Sequence, residues 1–338
     1  MAARSPHFVS GEAIERVLSW DEIISRLRQT YSSPHADTMN MNPPRTLARD
    51  AGLWLRTLTA VPPGARYMGA KLFGRGRRRT LEYVIVLIEQ ETGEIAGFLD
   101  ANLITARRTA ATSAVAVDLL AKSNPDVLGL LGSGAEAQSH LRALARVRPL
   151  KKVKVFSPSP ERREAFAERF AAELAVECRA VKSAQEAVAD ADIVVAAARS
   201  RNEEPILFGD WLQRGTLVVS IGSTLPEQRE IDSSVVKRCD LLVCDVVDEV
   251  INETGDMLAA ARDGVEFEDK VVSLNRLLSR DSADRVSVAT MPLFKSVGSA
   301  LQDLAVAELA FDKAVSQGLS TPLPMAFLTK GRGPREKG

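Results

Sequence analysis

Residues 127–137 read Val127-Leu128-Gly129-Leu130-Leu131-Gly132-Ser133-Gly134-Ala135-Glu136-Ala137. The first five form an apolar run of strand length, Gly132-Ser133-Gly134 closes it as a tight turn, and a helix is predicted to follow through residue 146. A Gly-x-Gly pair alone is common in turns. Between an apolar strand and a helix, however, G-x-G-x-x-A is a dinucleotide fingerprint. Its glycines let the backbone approach a pyrophosphate whose charge sits on the helix N-terminus, and Ala137, in place of a third glycine, still permits close helix–strand packing. Gly132, Ser133, Gly134, Ala135 and Glu136 are therefore candidate cofactor contacts, against the plainer reading of a structural turn.

Beyond this unit, predicted strands at 153–156, 176–179, 193–197, 217–221, 241–244 and 286–289 alternate with helices at 161–174 and 184–189. Such alternation implies right-handed crossovers and a parallel, doubly wound sheet. The texture differs before residue 124. A helical period covers 10–30, turn chemistry without a period covers 38–45, and short strands at 53–60, 65–73 and 83–89 suit an antiparallel sheet. An Ala-rich helix is predicted at 105–121 with Thr105 as N-cap, and a second long helix at 294–317. The tail 330–338 is basic, contains Gly and Pro, and reads as disordered. The expected architecture is α/β: a Rossmann-type doubly wound sheet at 124–305, inserted in an α+β domain made of 1–123 plus 306–338.

The chain has 338 residues, enough for two domains, and is 45% hydrophobic and 26% charged, which suits a globular protein with a sizeable core. Its 44 Lys plus Arg balance 44 Asp plus Glu, which argues against a general nucleic-acid binder. Apolar runs such as 190–198 are far shorter than the ~20 residues of a bilayer span, and residues 1–10 lack the apolar core of a secretory signal. Cys178, Cys239 and Cys244 match neither a disulfide framework nor a zinc spacing. A soluble cytoplasmic protein without a bound metal is expected.

The strand predicted at 153–156 ends in Phe156-Ser157-Pro158-Ser159-Pro160-Glu161-Arg162-Arg163. An acidic residue at that point would hold a ribose 2′-hydroxyl, whereas hydroxyls and arginine suit a 2′-phosphate. Ser157, Ser159 and Arg162 therefore favour NADP(H), with NAD(H) as the alternative; the competing reading makes Arg162 and Arg163 solvated helix charges. In Thr105-Ala106-Arg107-Arg108-Thr109, two arginines are expected in the first turn of a helix, where the macrodipole opposes them unless an anion is bound. A substrate carboxylate or cofactor phosphate would serve, as would a salt bridge to a nearby loop. Gly74-Arg75-Gly76-Arg77-Arg78-Arg79 is either a solvated basic turn or a site for a second carboxylate. His7, His35 and His140 form no cluster, and Glu253, Asp256 and Asp303 are read as organisers of loops and helix ends.

The chain resembles the ornithine cyclodeaminase/mu-crystallin family over nearly its whole length. The resemblance is carried by Pro44-Arg45, Gly69-Ala70-Lys71, Thr92-Gly93, Ile104-Thr105-Ala106-Arg107-Arg108-Thr109-Ala110-Ala111 and the glycine turn. It continues in Ser220-Ile221-Gly222-Ser223, Glu230-Ile231, Glu253-Thr254-Gly255-Asp256 and Lys295-Ser296-Val297-Gly298-Ser299-Ala300-Leu301-Gln302-Asp303. The resemblance implies a homodimer of two-domain subunits. It also implies a substrate site formed by Arg45, Lys71, Arg108, Thr224 and Gly298, and cofactor contacts at Arg108, Thr109, Ile221, Gly222 and Ser223. Lys71 would then donate a proton or act electrostatically, since burial among arginines lowers a lysine pKa. The chain departs from the family pattern in several places. Thr224 stands where cyclodeaminases carry an aspartate, the arginine-rich turn replaces Pro-x-Asn, Glu136 stands where Gln is frequent, and the cofactor-contacting Thr near Ala198 is missing.

The expected function is NAD(P)H-dependent reduction of the C=N bond of a small α-imino acid, of the ketimine reductase or amino-acid dehydrogenase type, with Lys71 and Arg108 as catalytic residues. The alternatives are a cyclodeaminase lyase with bound NAD, for which threonine is a poor base, and a non-catalytic crystallin-like binder.

Overall fold

The computed structural model describes residues 5–34, 43–78, 80–200, 202–279, 283–324 and 327. His35, Arg79, residues 38–42 of the expected loop and the tail 330–338 lie outside them. The described residues build two sheets. The eight-stranded one is parallel throughout, in the order 271–273, 241–244, 292–295, 217–220, 193–196, 127–131, 152–156, 177–180. Its direction of winding reverses between Val127–Leu131 and Ile193–Ala196, the switch point at which doubly wound sheets bind ligands. The α/β Rossmann reading is therefore correct.

The seven-stranded sheet contains the antiparallel ladder of Thr46–Asp50, Leu53–Ala60, Tyr67–Arg75, Leu81–Glu89 and Ile95–Asp100. At its far edge His7–Val9 pairs in parallel with Ile95–Asp100 and antiparallel with Thr321–Pro322. Both chain ends thus close the same sheet. The helix Ala300–Ser316 lies across this sheet, and the helix Asn102–Leu120 packs on Ala135–Val147 of the Rossmann unit as well as on Trp20–Tyr31 and Ala300–Ser316.

Five expectations need correction. The single helix at 10–30 is two, Gly11–Val17 and Trp20–Tyr31. Ser19 caps the second in a reciprocal box with Glu22, and Leu18 leaves the helical conformation. The helix expected from Thr105 begins at Asn102, so Arg107 and Arg108 stand in its second turn, where the macrodipole argument for an anion weakens. Residues 286–289 lie not in a strand but largely in the helix Ala283–Val288; the strand is Pro292–Lys295. The long helix starts at Ala300, capped by Ser299, rather than at 294. That helix also runs unbroken across the domain boundary expected at 305/306.

Lys295 ends its strand fully buried, 2.9 Å from the equally buried Asp256. Asp256 Oδ1 also accepts hydrogen bonds from the backbone N–H groups of Glu230 and Ile231. Breaking a buried pair leaves one charge uncompensated, whereas exposed pairs contribute little. Lys295→Met should lower unfolding free energy in urea by about 3–5 kcal/mol, and Lys151→Met, which removes an exposed pair with Asp126, by under about 1 kcal/mol. Equal losses would refute the distinction.

Candidate active site

Between the two sheets lies a cavity of about 360 Å³. The antiparallel sheet supplies Arg56, Leu58, Lys71, Phe73 and Tyr83, and the helix Asn102–Leu120 supplies Thr105, Arg108 and Thr109. The Rossmann unit adds Glu136 of the glycine turn, then Ala198, Ile221, Gly222 and Thr224 from beyond strand ends, and the segment Ser296-Val297-Gly298.

Asp303 is the anion at the centre of this arrangement. Its Oδ2 lies 2.6 Å from Lys71 Nζ, and its Oδ1 accepts a hydrogen bond from Arg108 Nε at 2.9 Å, all three side chains being buried. Read from sequence as an organiser of a helix end, Asp303 instead belongs to the site. Burial pulls the Lys71 ammonium down to about 8; Arg108 and Arg56 push the same way, and Asp303 opposes them.

A second layer fixes this group. Gln302 Oε1 accepts from Arg108 Nη1 at 2.9 Å, while its Nε2 donates to the Tyr31 hydroxyl at 2.7 Å and to Asp245 Oδ2 at 3.0 Å. Asp245 also accepts from Ser296 Oγ and from the backbone N–H groups of Val297 and Gly298. Gly298 has φ +79°, and a Cβ there would overlap the Arg108 guanidinium, so this position needs glycine twice over.

The structure distributes the other expected site residues unevenly. Arg45 borders the cavity, but its guanidinium is held by Glu249 at 2.7 Å and Glu253 at 3.6 Å, which ties the antiparallel sheet to the Rossmann unit. The backbone N–H and hydroxyl of Thr224 both donate to Gln228 Oε1, and Thr109 Oγ1 donates to the Thr105 carbonyl. Arg107 points elsewhere: it donates to the Leu18 carbonyl at the break between the first two helices. Arg75, Arg77 and Arg78 are outside the cavity. Arg56, which the cavity does contain, was missed by sequence reasoning. The available signal was its phase, since it occupies the same inward series of its strand as Leu58 and Ala60.

At the switch point the backbone forms an open cradle. Gly134 caps the helix Ala135–Val147 without any side-chain hydrogen bond, and no atom stands within 4 Å of where its Cβ would project. Gly132 has φ +121°, and a Cβ there would lie 2.9 Å from the Ala197 carbonyl oxygen. The first-turn N–H groups are thus uncapped by side chains and approachable, which fits a dinucleotide pyrophosphate. Beside them Ser133 Oγ donates to Ser157 Oγ at 3.0 Å. Ser159 caps the following helix, Arg162 is exposed, and Arg163 folds back to donate to the Ser157 carbonyl at 2.9 Å.

Opposite, buried Glu230 accepts from Ser220 Oγ and from the N–H groups of Gly222 and Ala198, clamping two strand ends together. Burial raises its carboxyl to about 7. Ser223 Oγ donates to the Gln228 carbonyl in the same loop.

The model of the ornithine cyclodeaminase/mu-crystallin family matches residues 33–318. The ketimine reductase mu-crystallin of Mus musculus is 30% identical over 321 residues, covering 91% of this chain and 97% of its own. A Delta(1)-pyrroline-2-carboxylate reductase of Bacillus cereus is 30% identical over 268 residues, 79% of each chain. The structure of Thermococcus litoralis Delta(1)-pyrroline-2-carboxylate reductase in complex with NADH and L-proline superposes with a TM-score of 0.86 at 27% identity, covering 94% of this chain and 100% of that one. By its sequence motifs, its fold and this match, the chain belongs to the ornithine cyclodeaminase/mu-crystallin family.

Proposed function

We propose that this chain is an NAD(P)H-dependent oxidoreductase that reduces the C=N bond of a small α-imino acid, reversibly yielding the α-amino acid. The observation that carries this reading is the buried Lys71–Asp303–Arg108 group, set in a cavity shared with Glu136 of the glycine turn. The names of the two sequence relatives, both imine reductases, support it. When bound, the reduced nicotinamide supplies a hydride to the imine carbon. The two C=N π electrons pass to nitrogen, which takes a proton from Lys71 Nζ, so imine, NAD(P)H and H⁺ give amine and NAD(P)⁺. Arg108 keeps Nη2 free of the hydrogen bonds made by Nε and Nη1, and so can hold the α-carboxylate. Residue 224 offers a hydroxyl where cyclisation would want a carboxylate, which disfavours the lyase reading.

In this reading residues 124–299 hold the cofactor, while 1–123 and the chain from Ala300 onward supply the substrate wall and the dimer surface. Leu55, Leu81 and Val84 of the antiparallel sheet are exposed apolar side chains that a second copy would cover. Light scattering should give twice the chain mass, and a monomer would overturn the dimer.

NADPH is the proposed preference, because Ser157 replaces an acid at the strand end and Arg163, with Arg162, stands beside it. Calorimetry should show tighter binding of NADPH than NADH, the gap narrowing in Arg162→Ala/Arg163→Ala. Equal affinities in the parent would refute this.

Proton donation requires the Lys71 ammonium, so kcat/KM for reduction should be flat at lower pH and fall about tenfold per unit above pH ~8, the value at which Lys71 is held. Oxidation of the amine needs neutral Lys71 and should rise through the same pH. Lys71→Met should lower kcat and kcat/KM together by roughly 10²-fold or more and abolish that limb. A change confined to KM would make Lys71 a binding residue only.

A further inference from the structure

Five cations line the cavity, and one of them has no ion-pair partner among the described residues. Arg45 is paired with Glu249 and Glu253, Arg199 with Glu203, and Lys71 and Arg108 share Asp303. Glu136 also lines the cavity, and its carboxylate is attracted by Arg108 and Lys71. Arg56 is left over. It is only 7% exposed, forms no ion pair among the described residues, and leaves its Nε without a hydrogen-bond acceptor.

Burying an unpaired guanidinium is costly, and such a group keeps its place when a ligand supplies the counter-charge. Burial, with Arg45 and Arg49, lowers the Arg56 guanidinium to about 10, still charged at neutral pH, while Glu249 and Glu253 oppose them without pairing with it. Its orientation is fixed by aromatic faces, with its Cζ 5.8 Å from the ring centres of both Trp54 and Phe73. In the sheet, Arg56 is paired with Phe73 and Leu58 with Lys71, so Arg56 and Lys71 are diagonal neighbours lining one cavity. That diagonal spacing is about 7–8 Å between backbone positions, within reach of a short-chain diacid.

We infer that Arg56 is a specificity-determining residue that binds a second carboxylate on the substrate side chain, making the preferred substrate an α-imino dicarboxylate. Of the two readings of the turn at 75–79, the second-carboxylate site finds no support: Arg75, Arg77 and Arg78 lie outside the cavity, and Arg79 is outside the described residues.

This inference rests on the imine-reduction reading, and one pair of assays separates them. NADPH consumption is followed with oxaloacetate plus ammonia and with pyruvate plus ammonia. The diacid imine should be preferred in kcat/KM by about 10²-fold, the discrimination of a charged, buried hydrogen-bonded pair. In Arg56→Met that ratio should collapse towards one, with partial recovery in Arg56→Lys. Equal use of both imines by the parent, or an unchanged ratio in Arg56→Met, overturns the inference while leaving imine reduction standing. If neither imine is reduced, the function reading fails and binding decides about Arg56. Succinate, not acetate, should raise the melting temperature of the parent with NADPH, and equal shifts overturn the inference. The parent comparisons hold even if Arg56→Met fails to fold.

Discussion

Asp303 neutralises two cations that reach it from different parts of the chain, Lys71 from a strand and Arg108 from a helix. In a buried setting one carboxylate offsets part of the cost of holding two cations side by side, and removing either cation would leave it a single partner. The residues around this group follow from that constraint. Gln302, the neighbour of Asp303 on its helix, holds the other edge of Arg108, and Asp245 holds Gln302 together with the loop at Gly298 that makes room for the guanidinium. A requirement for charge balance at one point thus fixes the seam between the two structural units.

The two sides of the cleft work with different materials. The Rossmann side presents backbone: an uncapped helix start, glycines and short hydroxyls. Such donors cost little to order and tolerate one ligand class, a phosphate-bearing dinucleotide. The antiparallel side presents formal charge fixed by β-ladder register and by aromatic contacts. Its charges are individually expensive to bury, which is why Lys71 titrates far below an exposed lysine.

The cofactor half was legible because it uses local signals: an apolar run, a glycine turn and a helix adjacent in sequence. The remaining errors are equally local in origin. Apolar spacing continues across Ser19, so the cap that ends one helix and starts another was hidden beneath a helical period. Val286 and Val288 imitate a strand, whereas the real strand opens with a proline and ends in a lysine that only a distant carboxylate makes tolerable inside. Lys71 and Arg108 were identified through motif resemblance, but their anion and Arg56 were not. Which acid meets which base is set by contacts such as Arg108 with Asp303, 195 residues apart, that no window of sequence contains.

The return of the chain to its first sheet also sets an order of assembly. The first 120 residues carry Lys71 and Arg108 toward a place whose counter-ion, Asp303, is made nearly two hundred residues later, and the edge strand His7–Val9 waits for Thr321–Pro322. The Rossmann segment between them contains its own strands and crossover helices in unbroken succession. On the ribosome, then, the middle of this protein has all its partners before the beginning does, and the early sheet must emerge unfinished, its apolar face and Lys71 uncovered until the last helix arrives.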